Sequence, residues 1–186
     1  MIFDVKMEDF RQKARLVAGG HRTEGPTTIT YASVVSRETV CIALLMVALN
    51  DLEVKVGDVL NAYITAPITE KVWTVLGPEF ATDAGKTAVI IRALYGLKSA
   101  GAAFHAHVAS FMRQMGYTSC KTDPDLWYKA ETKPTDNFRY YAYILCYVDD
   151  ILVMHYNPMT ILDRINGYMP RSHLRWVTLT FTSALS

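Results

Sequence analysis

The stretch YILCYVDDILVM, residues 143–154, sets two aspartates inside an otherwise almost wholly apolar run. A bare carboxylate is costly to bury, and two side by side repel. The β-branched and aromatic residues on both flanks read as strands, predicting a hairpin with arms over 139–148 and 151–156. Asp149 and Asp150 then form its tip. A solvated turn is one account of the pair, since Asp tolerates turns. The strong hairpin signals are Asn-Gly and Asp-Gly, however, and here Val148 and Ile151 crowd the tip. The other account is a cation held between the acids. From these residues alone both stay open.

Working outward, strands and helices alternate. Strands are expected over 13–17, over 54–59 with a break at Gly57, over 71–76, over 88–91 and over 126–129. Ser36 is placed to cap a helix to about Asn50, with Val40, Leu44, Val47 and Ala48 on one face. Ser99 would cap a second helix carrying Phe104, Val108, Phe111 and Met115, ended by Gly116. Residues 133–137 read as a loop, and Pro158 opens a last helix to roughly Met169. The order suggests an α+β fold, a mainly antiparallel sheet backed by helices.

At 186 residues the chain makes one domain or two small subdomains sharing a core. The net charge of +1 gives no basic footprint for nucleic acid. The first residues do not read as a signal peptide. The longest apolar stretch, 40–49, is too short to span a bilayer, so no membrane partner is expected. Cys41, Cys120 and Cys146 are widely spaced among mainly apolar neighbours and read as small core residues in a reducing compartment.

Two patterns mislead. DAGKT at 83–87 resembles the end of a phosphate loop, but Phe80 stands where its first glycine belongs and a strand follows. His105 and His107 are two apart on a helix, so they face different ways and make no zinc pattern with Cys120.

A Mg²⁺ site takes a few carboxylates, with water and substrate phosphates completing the shell. VKVGDVLNAYI, residues 54–64, supplies a third acid, Asp58, at a strand end. A turn-making aspartate explains it equally well by itself. Tyr63 follows five positions later.

Together, YVDD at 147–150, Asp58 with Tyr63, and RALYGLKSAGAAF at 92–104 resemble the reverse transcriptase of copia-type (Pseudoviridae-like) LTR retrotransposons. KARLVAGGH (13–21), YASVVSRETV (31–40), NAYITAPITEKVW (61–73) and DPDLW (123–127) are similar to blocks of that family in the same order. Ser99-Ala100-Gly101 departs from the Gln-Ala-Pro of many members. The resemblance implies a right-hand polymerase, here fingers and palm over 1–170, with the thumb absent. It implies two Mg²⁺ (or Mn²⁺) ions among Asp58, Asp149 and an incoming dNTP, with Asp150 orienting the pair and the backbone oxygen of Val59 completing a shell. Tyr63 resembles a steric gate against the ribose 2′-hydroxyl, expected to face the same cavity as Asp58. Lys13 and Arg15 would meet the triphosphate, although both are ordinary on exposed strands. Gly96, Leu97 and Lys98 would line nucleotide and template, and Tyr147 would join the substrate contacts. Implied partners are an RNA or DNA template with its primer, in the cytoplasm and, for an intact element, in a virus-like particle. The oligomeric state is left open.

The resemblance stops after RINGYMP, at residue 170. The tail, 171–186, can be back-translated, with wobble bases chosen, to a DNA that gives KPPPVGDPDIYLGAK two bases on, similar to the family's continuation. It is therefore expected to be frameshifted, leaving an exposed sheet edge or a foreign strand from WVTLTFT. The expected activity of this chain is low; the alternatives are a non-catalytic relic and a nucleic-acid-binding fragment of a decayed element.

Overall fold

The computed structural model describes residues 2–6, 10–20, 25–26, 30–169 and 174–179. It divides into two compact units. One comprises 1–32 and 63–107, the other 33–62 and 108–186.

The second unit is built on a six-stranded antiparallel sheet. Its strands are β3 (Glu53–Val59), β6 (Thr118–Ser119), β7 (Leu126–Thr132), β8 (Arg139–Tyr147), β9 (Asp150–His155) and β10 (Leu174–Leu179), in the order β10-β3-β9-β8-β7-β6. Helix α1 (Arg37–Leu49) lays Ala43 and Val47 on one face, against Val54, Leu145 and Met154. Ser36 caps it as expected, its hydroxyl accepting from the Thr39 N–H. On β8 and β9 the opposite parity is buried too: Ala142, Ile144, Ile151 and Val153 are all inaccessible. Helix α4 (Pro158–Tyr168) packs on β3 and β9 and buries Ile161, Leu162 and Ile165. A sheet covered on both faces needs apolar residues at both parities, which is why 143–154 does not alternate.

The first unit contains two separate antiparallel ribbons. Strand β1 (Ile2–Lys6) pairs β2 (Arg11–Arg15), and β4 (Pro67–Val75) pairs β5 (Thr87–Arg92). A one-turn helix α2 (Ala62–Thr65) and a 3-10 helix (Pro78–Asp83) interrupt the chain. Helix α3 (Ala100–Gln114) belongs to the first unit up to His107 and to the second from Val108. A cavity of about 420 Å³ in the first unit is lined by Val17, Ile64, Leu76, Phe80 and Ile90.

Several expectations need correction. Gly57 does not break β3: it pairs with Ile151 on one side and Trp176 on the other, and two neighbouring strands outweigh one glycine's propensity. Ser99 does not cap α3 with its side chain; its buried Oγ lacks a hydrogen-bond partner, while its carbonyl accepts from Ala103. Ala48 and Cys41 are exposed, since α1 meets the core through Val40, Ala43, Leu44 and Val47. Gly116, at φ 86°, does end α3. Of the tail, only Leu174–Leu179 is described, and it forms the edge strand β10 on β3; residues 171–173 and 180–186 of the expected frameshifted segment lie outside the described residues.

Candidate active site

The hairpin turn falls one residue earlier than the sequence suggests. Asp150 is the first residue of β9 and pairs with Tyr147, so the two loop residues are Val148 and Asp149. A one-residue shift changes which face each side chain takes. Here it separates the acids, Asp149 in the loop and Asp150 on a strand. Val148 has φ 55°, a left-handed backbone that strains a β-branched residue by roughly 1–3 kcal/mol.

The same register sets Asp150 directly across from Asp58 on β3. The Val59 N–H donates to the Asp149 carbonyl at 2.9 Å, tying the loop to the end of β3. Asp58, Asp149 and Asp150 are thus brought to one corner of the sheet. Burial, then the negative charges of Asp149 and Asp58, push the Asp150 carboxyl above its ordinary range. On the other side of β3, Arg175 of β10 stands in register with Asp58. Sequence reading missed Arg175; only the strand pairing reveals it.

Among the described residues, no group of three or more His, Cys, Asp or Glu side chains is arranged to hold a metal. The three acids converge in backbone register without closing into a side-chain cluster. The donor set nevertheless fits a hard divalent cation: it is all oxygen, its charges repel, and Mg²⁺ draws only one or two carboxylates and keeps several waters.

The remaining site candidates, apart from Tyr147, lie in the first unit. Tyr147 is exposed at the end of β8. Lys13 lies on β2 opposite Asp4. The Arg15 guanidinium sits 5.8 Å from the centre of the Tyr95 ring, near enough for a cation–π contact. Tyr63 lies 4.5 Å from Tyr95 and 6.0 Å from Phe104, centroid to centroid. Gly96 has φ 92°, and a Cβ there would collide with the Ala18 carbonyl. The Ala18 N–H donates to the Tyr95 carbonyl at 2.7 Å. Leu97 is buried and Lys98 exposed. Tyr95 therefore gathers Arg15 and Tyr63 around itself. Its place inside the LYGLK run was the available signal, and its role as a hub was not foreseen.

The chain has counterparts among known sequences. The profile of the reverse transcriptase (RNA-dependent DNA polymerase) family matches residues 2–176, and the chain belongs to that family, in the form carried by copia-type transposons. It is 30% identical over 149 residues, 77% of its length, to the Retrovirus-related Pol polyprotein from transposon TNT 1-94 of Nicotiana tabacum. It is 26% identical over 165 residues, 87% of its length, to that from transposon RE1 of Arabidopsis thaliana. The chain spans about a tenth of the length of these relatives, 11% of each. No solved structure matches it.

Proposed function

We propose that the chain is the nucleotidyl-transfer core of an RNA-directed DNA polymerase, joining dNTPs to a primer 3′-hydroxyl on an RNA or DNA template. The second unit is its palm and the first its fingers. The observation that carries this reading is the cross-strand pairing of Asp58 with Asp150, with Asp149 tied to Val59 beside them.

In this reading Asp58, Asp149 and Asp150, with the Val59 backbone oxygen, hold two divalent ions. When bound, Mg²⁺ or Mn²⁺ supplies Lewis-acid activation of the primer hydroxyl and neutralises charge on the leaving pyrophosphate. The chain's own contribution is placement. Rigid strands bring Asp58 and Asp150 together, and like charges so placed create a demand for a cation. Arg15 and Lys13 meet the triphosphate. Tyr63 excludes the ribose 2′-hydroxyl. Gly96, Leu97 and Lys98 line nucleotide and template, and Tyr147 joins the substrate contacts. The cell compartment is the cytoplasm. Single-nucleotide extension of a labelled primer by the purified chain with Mn²⁺ tests the activity. Signal above background that disappears in Asp149→Asn supports it; equal signal in both chains overturns it.

A second reading, a decayed copy with little or no activity, is favoured by the tail. One back-translation of it, read two bases on, is similar to the family's continuation, and its strand sets Arg175 in register with Asp58. Sequencing the locus decides it. A downstream frame without Gly-Asp-Pro-Asp-Ile-Tyr-Leu-Gly removes the frameshift.

A further inference from the structure

The hairpin that carries Asp149 and Asp150 is held at its base by a closed set of bonds that the family resemblance does not assign. Cys146 lies just before Tyr147. Its N–H donates to the Asp125 carbonyl at 3.0 Å, and its carbonyl accepts from the Val35 N–H at 3.2 Å. Val35 and Asp125 are far apart in sequence. One carboxylate joins their surroundings: Asp123 Oδ2 accepts from the Ser36 N–H at 2.9 Å, and Asp123 Oδ1 accepts from the Asp125 N–H at 3.2 Å. Asp123 is buried, and buried oxygens of this kind are costly to leave unbonded.

We infer that Asp123 is a positioning residue, whose carboxylate clasps the start of α1 to the start of β7 and so fixes the end of β8 that presents Asp149 and Asp150. The ring runs from Asp123 to Ser36, through Val35 to Cys146, and back through Asp125. Each oxygen of the carboxylate has its own task. An amide at this position has one accepting oxygen, and its NH₂ would face a backbone N–H, so an isosteric change opens the ring on one side. The Val59–Asp149 bond then carries the displacement to β3 and Asp58.

The ring also shows how to separate positioning from helix capping. Ser36 has φ −75°, which proline adopts without strain. Ser36→Pro therefore removes the N–H that Asp123 accepts, and with it the capping hydroxyl. Ser36→Ala removes only the hydroxyl. Both lose the bond to the Thr39 N–H and the hydroxyl's contact with the Asp123 carboxylate, and only Ser36→Pro also removes the backbone N–H that Asp123 Oδ2 accepts.

The inference rests on the metal-binding reading of the acid corner, so the experiment has a metal-free arm. Amide hydrogen exchange is measured in the full chain for the parent, Asp123→Asn, Ser36→Pro and Ser36→Ala, with Val153 as internal reference. Mn²⁺ affinity is measured for the same chains and for Asp149→Asn. Asp123→Asn and Ser36→Pro are expected to speed exchange at Cys146 and Val59 about tenfold relative to Val153, and to weaken Mn²⁺ binding about tenfold, the effect usual for groups that orient metal ligands. Ser36→Ala, which keeps the Ser36 N–H on Asp123, is expected to show the smaller effect in both, about threefold or less. Unchanged exchange at Cys146 and Val59 in Ser36→Pro overturns the clasp, as does an equal effect in Ser36→Ala. Faster exchange with unchanged Mn²⁺ affinity, where Asp149→Asn does lose affinity, overturns the positioning role. If Asp149→Asn loses none, the metal reading falls, and the exchange arm alone decides the clasp. Should Asp123→Asn fail to fold, the Ser36 pair carries the test.

Discussion

β8 and β4 are strands of equal length with opposite fates. In β8, Tyr140, Ala142, Ile144, Leu145 and Cys146 are all buried. In β4 no residue is buried, and Trp73 and Val75 stay largely exposed. The difference is cover. β8 has neighbours on both edges, in a sheet buried at both parities, whereas among the described residues β4 pairs with β5 alone. Backbone strain does not follow that division, since Phe10 and Ala81 of the first unit take positive φ as Val148 of the second does. The first unit gives its left-handed position in the LYGLK turn to Gly96, where a side chain has no room. The second gives one to Val148, beside the acids. A well-packed sheet can hold a strained valine in place, and that is where such strain is informative about function.

The largest effect that would break this comparison concerns the core. Ile144→Ala should cost about 3 kcal/mol in urea denaturation, as for other fully buried aliphatic side chains, while Trp73→Ala should stay within about 0.5 kcal/mol. Similar losses from both would mean that β4 is as well covered as β8.

Next comes His155, buried on β9 and accepting from the Asn157 N–H at 2.9 Å. Burial, its largest influence, lowers its pKa. The folded state therefore prefers the neutral ring, and the unfolded state binds the extra proton first. This contribution to stability is full above about pH 6.5 and is lost as pH falls toward and through the lowered folded value. Denaturation midpoints of the parent should drop across that window; those of His155→Gln should drop less. Parallel pH profiles would show that the ring is not protected in the second unit.

Val148→Gly should stabilise the chain by about 0.5–1 kcal/mol, because glycine takes φ 55° without strain and the exposed valine gives up little burial. The expected gain in urea midpoint is the reverse of the effect in the LYGLK turn, where Gly96→Ala should destabilise. Asp150→Asn should add a smaller gain, reduced by solvent screening, because the folded state holds this carboxyl's proton too tightly. By the same sign, acidification relieves that cost. The smallest effect is at the edge strand. Arg175→Gln should raise Mn²⁺ affinity about twofold in calorimetry, since an exposed cation in register with Asp58 competes only weakly. A fall instead would make Arg175 a supporting residue.

The sequence made the buried hairpin, α1 with its Ser36 cap and the Gly116 stop readable, because burial on both faces and capping chemistry leave local marks. It misled at Gly57, where strand pairing outweighs propensity, and at the turn, where nothing local tells Asp149-Asp150 from Val148-Asp149 as the loop pair. Of the site candidates, Asp58, Asp149 and Asp150 were legible as costly charges. Tyr95, Asp123 and Arg175 were not, since each acquires its place through a partner distant in sequence: Arg15, Ser36 and Asp58.

The central claim is that Asp58, Asp149 and Asp150 form one cation site. Calorimetric Mn²⁺ titration of the parent and of the Asp58→Asn/Asp149→Asn double variant tests it most directly. Measurable binding in the parent that falls by tenfold or more in the folded double variant is the expected result; equal affinity in the two chains would contradict it.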